Sequence, residues 1–281
     1  MKSTSPDLRP DLSRLRLPPG IVRGSIAVLA VLLTIWTQWG PPPAATFFGN
    51  ELLRDRFLKL QKTDSPEPRV LVVDIDESST AELGPWPWPR ERIADLVELL
   101  LTEYGVRGVA LDILMPEPAD EAGDLRLAML AEHGPVVLAQ AFDFQKDRPH
   151  PMRDGVQGLA SASYPASGAV ATGYIGNHAL LARASKVGNI GFIPDADGVL
   201  RRVPLVTTYD GKAYPSLALA LLNCCSGKPP LPVDERATVR VSFERDWNAY
   251  TVATAAEILK REYDKDSFRG RLAVIGSSSL G

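Results

Sequence analysis

Three aspartates that follow predicted strands are the residues whose type and spacing could do chemistry. Asp74 and Asp76 come at the end of the apolar run VLVVDID, and Asp112 comes near the end of a second run, VALDIL. Ligands of open α/β sheets bind beyond the carboxyl ends of the strands, so the three carboxylates are expected to meet at one edge. They predict either a catalytic carboxylate cluster or the binding site of a small molecule.

The catalytic interpretation is a magnesium-dependent phosphatase. An Asp-x-Asp pair after a strand resembles the motif of haloacid-dehalogenase-type phosphatases, in which the first aspartate is the nucleophile and the second the general acid. That mechanism also needs a lysine and a further acidic pair. The candidates for these roles are Lys186 and the pair Asp195 and Asp197, but their spacing along the chain does not fit the motifs of that family. The motif set is incomplete, so an enzyme is not expected.

The binding interpretation extends to the residues around the aspartates. The segment LGPWPWPR sets two tryptophans among prolines, which stiffen the backbone and hold the rings beside the carboxylates. Carboxylates favour a cation, an amine or a hydroxyl-rich ligand over a phosphate. Packing of the tryptophans, and capping or loop hydrogen bonds of the aspartates, are the structural alternatives. The predicted ligand contacts are Asp76, Glu77, Ser78, Trp86, Trp88, Asp112 and Glu117.

Other motifs carry less chemistry. PDADG, residues 194–198, begins like a calcium loop, but VLRR follows where further oxygen ligands are needed, so a turn is expected. The three histidines share no ligand spacing and are expected in solvated loops; they are His133, His150 and His178. Neither a metal site nor a cofactor is therefore expected.

The hydrophobic pattern places these residues on an α/β scaffold. Apolar runs near 70–76, 108–114 and 136–142 predict buried strands, and the three-four spacing in RERIADLVELLLTEYG predicts a helix between the first two. A crossover of this kind predicts a right-handed parallel pair of strands. The predicted fold is therefore α/β, with a mixed sheet built on a parallel βαβαβ core over about 69–142.

The remainder of the chain predicts additions to that core. Residues 143–186 are rich in Gly, Ala, Ser and Pro without a clear period, which is typical of a loop or an excursion from the sheet. Asp-Gly pairs on either side of VLRRVPLVTTY predict antiparallel strands joined by tight turns. TVATAAEILKREY predicts a helix, and GRLAVIGSS predicts a last buried strand.

Composition and charge narrow the class of protein. The 281 residues are 45% hydrophobic and 23% charged, which is typical of globular domains. The net charge is -3 and basic residues cluster only before residue 24, so a nucleic-acid partner is not expected. Cys224 and Cys225 are adjacent, too close for an unstrained bridge, so two buried free thiols are expected.

The N-terminal region predicts attachment to a lipid bilayer. Residues 24–39 are apolar and uncharged, and basic residues precede them but do not follow until Arg54. This bias predicts a transmembrane helix over 24–39 with a cytoplasmic tail over 1–23, and a cleaved signal peptide is the alternative. A connecting helix and linker are expected over 40–68. In either case the domain after it is exported.

Four segments together resemble the CHASE2 domain, an extracytoplasmic sensor module of bacterial receptors. They are VLVVDIDESSTAELGPWPWPRERIADLVELL, GVRGVALDILMPEP, GNIGFIPDADGVLRRVPLVTTYDGKAYPSLALALL and GRLAVIGSSSLG, in the order of that family. The resemblance implies a periplasmic sensor domain over 69–281, held in the inner membrane. It also implies that DIDESSTAELGPWPWPR is the loop between the first strand and its helix.

The same resemblance sets expectations about partners. Such receptors usually continue into membrane spans and a cytoplasmic cyclase, histidine kinase or serine/threonine kinase, so the chain is expected to be the sensing half of such a receptor, truncated or fragmentary. The expected partners are an unidentified small molecule, the bilayer and a second copy of the chain. A module that only dimerises or docks a periplasmic protein, without binding a ligand, is the alternative.

Overall fold

The structure, a computed structural model, describes residues 18–39, 44–229, 231–233 and 237–279. The chain divides into two compact units, Met1–Gln61 and Lys62–Gly281. Within the described residues no helix is long and apolar enough to cross a membrane, so the predicted transmembrane helix over 24–39 is not supported. The predicted cytoplasmic tail lies largely outside the described residues.

Seven helices and thirteen strands make up the described chain. The first unit contains α1 (Pro19–Trp39) and α2 (Ala44–Leu60). In the second unit the helices are α3 (Glu77–Leu83), α4 (Arg90–Thr102), α5 (Glu121–His133), α6 (Leu217–Cys225) and α7 (Ala255–Lys260). The strands are β1 (Glu67–Ile75), β2 (Gly108–Leu111), β3 (Val136–Asp143), β4 (Arg153–Asp154), β5 (Ala169–Val170), β6 (Gly173–Ile175), β7 (Val187–Asn189), β8 (Arg202–Pro204), β9 (Val206–Tyr209), β10 (Lys212–Pro215), β11 (Thr238–Arg240), β12 (Tyr250–Thr254) and β13 (Leu272–Ser277).

A mixed eight-stranded sheet forms the centre of the second unit, which confirms the predicted fold class apart from the membrane helix. Its order is β12-β1-β13-β2-β3-β6-β4, with β7 also paired to β3. The strands β12, β1, β13, β2, β3 and β7 run parallel, and β6 is antiparallel to β3. The predicted pairing of the first two strands is wrong, because β13 lies between β1 and β2. Hydrophobic periodicity indicates that a strand is buried but not which strand is its neighbour.

Two local predictions also need correction. The stretch after β1 is not all loop, since Glu77–Leu83 forms α3, which begins at the N-cap Asp76 and ends at Gly84 with φ 102°. The segment TVATAAEILKREY is not one helix. Its first four residues complete β12 at the sheet edge, and a capping box of Thr254 and Glu257 then starts α7.

The antiparallel hairpin predicted at the second Asp-Gly pair is confirmed, whereas β8, after the first pair, is antiparallel to the distant strand β11. Strands β9 and β10 pair through a two-residue turn in which Asp210 and Gly211 both have positive φ, as this hairpin turn requires. Residues 143–186 are an excursion between the parallel strands β3 and β7, and its strand β6 extends the sheet. Helix α6 begins after Ser216, whose side chain caps it, and Pro215 ends β10.

The cysteines differ from the prediction. Cys224 and Cys225, in the last turn of α6, form a disulfide with each other and are not free thiols. Cys225 is 6% exposed and packs with Ala110, Val137 and Leu221 on one face of the sheet. The burial was predicted, whereas the bond was not, because the spacing rule describes bridges between separated residues.

Candidate functional site

The carboxyl edge of the parallel sheet is the candidate site. Because β1, β13 and β2 are parallel neighbours, the chain after each of them emerges at the same edge. This places Asp76 after β1, Ser278 after β13 and Asp112 after β2. The insertion of β13 separates the two predicted aspartates by one strand and brings a run of serines between them.

Asp74 joins β1 to the end of β13. Its carboxylate accepts hydrogen bonds from the Ser278 amide at 3.1 Å and from the Ser278 hydroxyl at 2.8 Å. The Ser277 hydroxyl donates to the Ile75 carbonyl at 3.0 Å. The serines of GRLAVIGSSSLG therefore hold the edge of the sheet together. Their small size was visible in the sequence, but their partner was not.

Asp76 caps helix α3. One carboxylate oxygen accepts from the Ser79 amide at 2.8 Å and the other from the Ser78 hydroxyl at 2.7 Å. Burial acts to raise the pKa of Asp76, but these hydrogen bonds outweigh it and the pKa is lowered. Asp76 is thus a charged capping residue, which was the structural alternative for it. Glu77, in the first turn of α3, is exposed.

Asp112 differs from the other two aspartates. Its amide donates to the Ile275 carbonyl at 2.8 Å, but within the described residues its carboxylate has no hydrogen-bond or ionic partner. The side chain reaches solvent beside Gly276, yet the surrounding protein desolvates it enough to raise its pKa. An unpartnered, partly desolvated carboxylate is the feature of this edge most suited to bind a ligand.

The two tryptophans lie in packed positions. Trp88 is 1% exposed, and its indole nitrogen donates to the Gly84 carbonyl at 2.8 Å. Trp86 is half-buried and meets Trp88 edge to face, with ring centroids 6.1 Å apart. The Arg92 guanidinium lies 5.3 Å from the centroid of Trp88. In this structure Trp88 belongs to the hydrophobic core, and only Trp86 offers partial access to a ligand.

Glu117, which follows β2 in the chain, lines a shallow cavity. The cavity has a volume of about 490 Å³ and is lined by Pro87, Trp88, Pro89, Arg90, Glu117, Pro118, Ala119 and Asp120. Neither Asp76 nor Asp112 is among its lining residues. Among the described residues, the predicted contacts lie in several places: Asp76, Glu77 and Ser78 at the start of α3, Asp112 after β2, Trp86 against Trp88, and Trp88 with Glu117 at this cavity.

A buried cluster of Arg90, Asp124 and His178 lies next to this cavity, which Arg90 also lines. The sequence pattern did not predict this cluster. Asp124 is 3% exposed and accepts from the Ala119 amide at 2.8 Å, while His178 Nε2 lies 3.2 Å and Arg90 Nε 3.5 Å from it. Burial lowers the pKa of Arg90, although the carboxylates of Asp124 and Asp120 oppose the shift. The prediction that His178 is solvated is therefore wrong, since it is 7% exposed.

The PDADG segment is a turn, as predicted, and its acidic residues are paired. The Asp195 amide donates to the Val199 carbonyl at 2.9 Å, closing the turn. Arg201, 3% exposed, binds Asp197 at 2.8 Å, and Arg202 binds Asp195 at 2.9 Å. The Arg201 guanidinium lowers the pKa of Asp197 to about 2. The turn thus anchors the strand that follows it.

The arrangement does not assemble the phosphatase site. Lys186 immediately precedes β7 and so lies at the amino edge of the parallel strands, opposite the edge that carries Asp74. Its amine donates to the Gly134 carbonyl at 3.1 Å. Across the part of the chain that the structure describes, no group of three or more potential metal-ligating side chains is present.

Comparison with known proteins identifies one family. The family model described as the CHASE2 domain matches residues 26–281, which is most of the chain. No curated protein and no solved structure matches the chain significantly.

Proposed function

The chain belongs to the CHASE2 family of extracytoplasmic sensor domains, and we propose that it is the periplasmic ligand-sensing domain of a membrane-bound signalling receptor. The observation that carries the proposal is the family match over residues 26–281, on an α/β domain whose carboxyl edge presents Asp112, a carboxylate that has no partner among the described residues. In the complete receptor the sensor would control a cyclase or kinase output.

The disulfide supports a location outside the cytoplasm. Cys224 and Cys225 are bonded to each other, and disulfides persist in the oxidising periplasm but are reduced in the cytosol. The basic residues before residue 24 support the same orientation, because the side of a membrane richer in Lys and Arg is the cytoplasmic one.

Reporter fusions test the location. Alkaline phosphatase joined after Gln61, where the first unit ends, should be active, and a cytoplasmic reporter at the same position should be inactive. The opposite pattern would reject the periplasmic placement. Fusions after residue 23 serve as the control, since that region is proposed to be cytoplasmic.

The proposed ligand of the carboxyl edge is a cation, an amine or a hydroxyl-rich molecule. Support comes from the acidic character of the edge, because an unpaired carboxylate gains most from a positive or donor-rich partner. The proposed contacts of this ligand are Asp112, Glu77, Ser78, Trp86 and Glu117. Asp76 and Trp88 would contribute indirectly, through the cap of α3 and through packing.

A thermal-shift screen of the full chain against amines and polyols tests the ligand class. A ligand present at about 100 times its Kd should stabilise the protein by about 2.7 kcal/mol. Asp112→Asn should remove most of that shift, whereas the matched change Asp154→Asn, at an exposed aspartate of β4, should leave it intact. A shift unchanged by Asp112→Asn would place the site elsewhere.

Self-association is part of the proposal, because a receptor of this kind is expected to act as a homodimer. Sedimentation equilibrium of the full chain should give a dimer. A monomer at all concentrations, together with a bound ligand, would favour signalling without dimerisation. A dimer that binds no ligand in any screen would favour the alternative of a pure dimerisation or docking module.

A further inference from the structure

The amino edge of the parallel sheet contains a cavity of about 600 Å³, on the opposite side of the domain from the acidic edge. It lies where β1 and β13 begin, against the chain just before β2, and it is also lined by the end of α6 and by Ser226, Lys228, Pro229 and Leu231. The Arg107 amide donates to the Arg271 carbonyl at 2.7 Å and ties two of these walls together. The volume is in the usual range for small-molecule sites.

The cavity is positively charged although the chain carries a net charge of -3. Five basic side chains line it, and no acidic residue is among its described lining; they are Arg69, Arg107, Lys228, Arg269 and Arg271. Two of the five are neutralised. Arg69 forms a two-point ion pair with Glu67 at 2.6 Å, and Arg269 binds Asp266 at 2.7 Å.

Three of the five cations have no carboxylate partner within the described residues. Arg107 donates to the Ser226 carbonyl and Arg271 to the Thr251 hydroxyl, each at 2.5 Å, and both acceptors are neutral. The Lys228 amine has no hydrogen-bond or ionic partner in the same residues. Arg107, Lys228 and Arg271 therefore keep their positive charge at this cavity as far as the described residues show.

The remaining lining is mostly apolar, and Asn223 and Ser226 are its polar members. Its apolar residues include Val70, Leu222, Leu231 and Leu272, so a ligand that fills the cavity must bury an apolar body. Guanidinium groups match carboxylate and phosphate oxygens in a forked geometry, and a lysine amine adds a point charge. The cavity therefore combines anion recognition with a hydrophobic compartment.

Glycine makes room for one of the cations. Gly227 has φ +70°, and a Cβ at this position would lie 2.5 Å from the Arg107 guanidinium. The turn after α6 thus favours glycine for its backbone conformation, and a side chain at this position would displace the guanidinium of Arg107, the end of a flexible, exposed side chain.

We infer that this cavity is a binding site for a small organic anion, a carboxylate or a phosphate ester with an apolar body. The site differs from the acidic edge in position and in charge. The inference concerns binding alone, so it does not depend on the sensor role or on the location of the domain.

Four naphthalene compounds test the site by calorimetric titration of the full chain: naphthoate, naphthyl phosphate, naphthylmethylamine and naphthylmethanol. One or both anions should bind saturably with one site per chain, and the amine and alcohol should not. Binding of naphthoate alone or of naphthyl phosphate alone assigns the anionic group as carboxylate or phosphate. Equal binding of the amine, or no binding by either anion, would overturn the inference.

Charge-neutralising variants locate the binding. Lys228→Gln should weaken anion binding about tenfold, the loss expected for one charged hydrogen bond, and adding Arg271→Gln should weaken it further. Lys212→Gln, at an exposed lysine of β10 that does not line the cavity, is the matched control and should have no effect. Unchanged affinity in a folded Lys228→Gln/Arg271→Gln variant, as judged by circular dichroism, would show that the anion binds elsewhere.

Discussion

Replacing Asp124 should destabilise the domain far more than replacing a typical surface acid. Asp124 is 3% exposed and connects three segments: it accepts from the Ala119 amide, and it lies within 3.5 Å of both His178 Nε2 and Arg90 Nε. Without it, the Arg90 guanidinium stays buried and loses its nearest counter-charge. Breaking a buried ion pair by removing one partner typically costs about 3–5 kcal/mol.

We therefore expect Asp124→Ala to lower the free energy of unfolding by about 3–5 kcal/mol. Asp124→Asn should cost less, because its amide oxygen can still accept from Ala119. The matched control is Asp95→Ala. Asp95 pairs with Arg126 at the surface, where the side chains are 47% and 39% exposed, so its loss should cost about 1 kcal/mol or less.

Urea unfolding followed by tryptophan fluorescence measures these differences, and a double variant separates their origin. If the cost comes from the stranded charge, Arg90→Met combined with Asp124→Leu should be more stable than Asp124→Leu alone. A loss in Asp124→Ala no larger than in Asp95→Ala would refute the argument. So would a double variant whose cost equals the sum of the two single costs.

Three further predictions concern Trp88, Asp197 and Asp112. Trp88→Ala should lose about 3–5 kcal/mol of stability by thermal unfolding and Trp86→Ala clearly less, because only Trp88 is fully buried; equal losses would contradict the packing described. The Asp197 carboxyl should titrate by NMR near its lowered pKa of about 2, and its contribution to stability should be present above about pH 4 and lost as the pH falls toward 2; Arg201→Gln should return the pKa toward the usual value of 3.8. The pKa of Asp112 is raised in the folded state, so the free energy of unfolding should increase as the pH falls through that pKa. Asp112→Asn should abolish this increase and raise the melting temperature at neutral pH. A lower melting temperature in the variant would mean that the carboxylate has a stabilising partner.

Much of the scaffold was predictable from local signals. The apolar runs of β2 and β3 marked strands that are buried on both faces, as continuous apolar residues predict, whereas in β1 and β13 buried residues alternate with half-buried ones. The Asp210–Gly211 pair marked the hairpin, because both positions need positive φ. The combination of four segments in order also resembled the family that the family model matches.

The candidate site was predictable only as an edge. The carboxyl ends of parallel strands had to share one side of the sheet, so the aspartates were placed correctly in outline. Which aspartate is free to bind a ligand depends on its hydrogen-bond partners, and the sequence pattern does not show them. Asp74 accepts a hydrogen bond from Ser278, 204 residues away in the chain, and Asp76 accepts one from the Ser79 amide in its own helix. Asp112 has no partner within the described residues.

By itself the sequence determined the fold class, the family and the burial of the main strands, because each depends on short-range periodicity and on residue type. Tertiary structure alone decided that β13 enters between β1 and β2, that His178 is buried against Asp124, and that a cationic cavity forms at the amino edge. Those features depend on contacts between segments far apart in the chain. Local patterns specify how a segment folds and which face it buries, but the partner of that face is chosen by the packing of the whole domain.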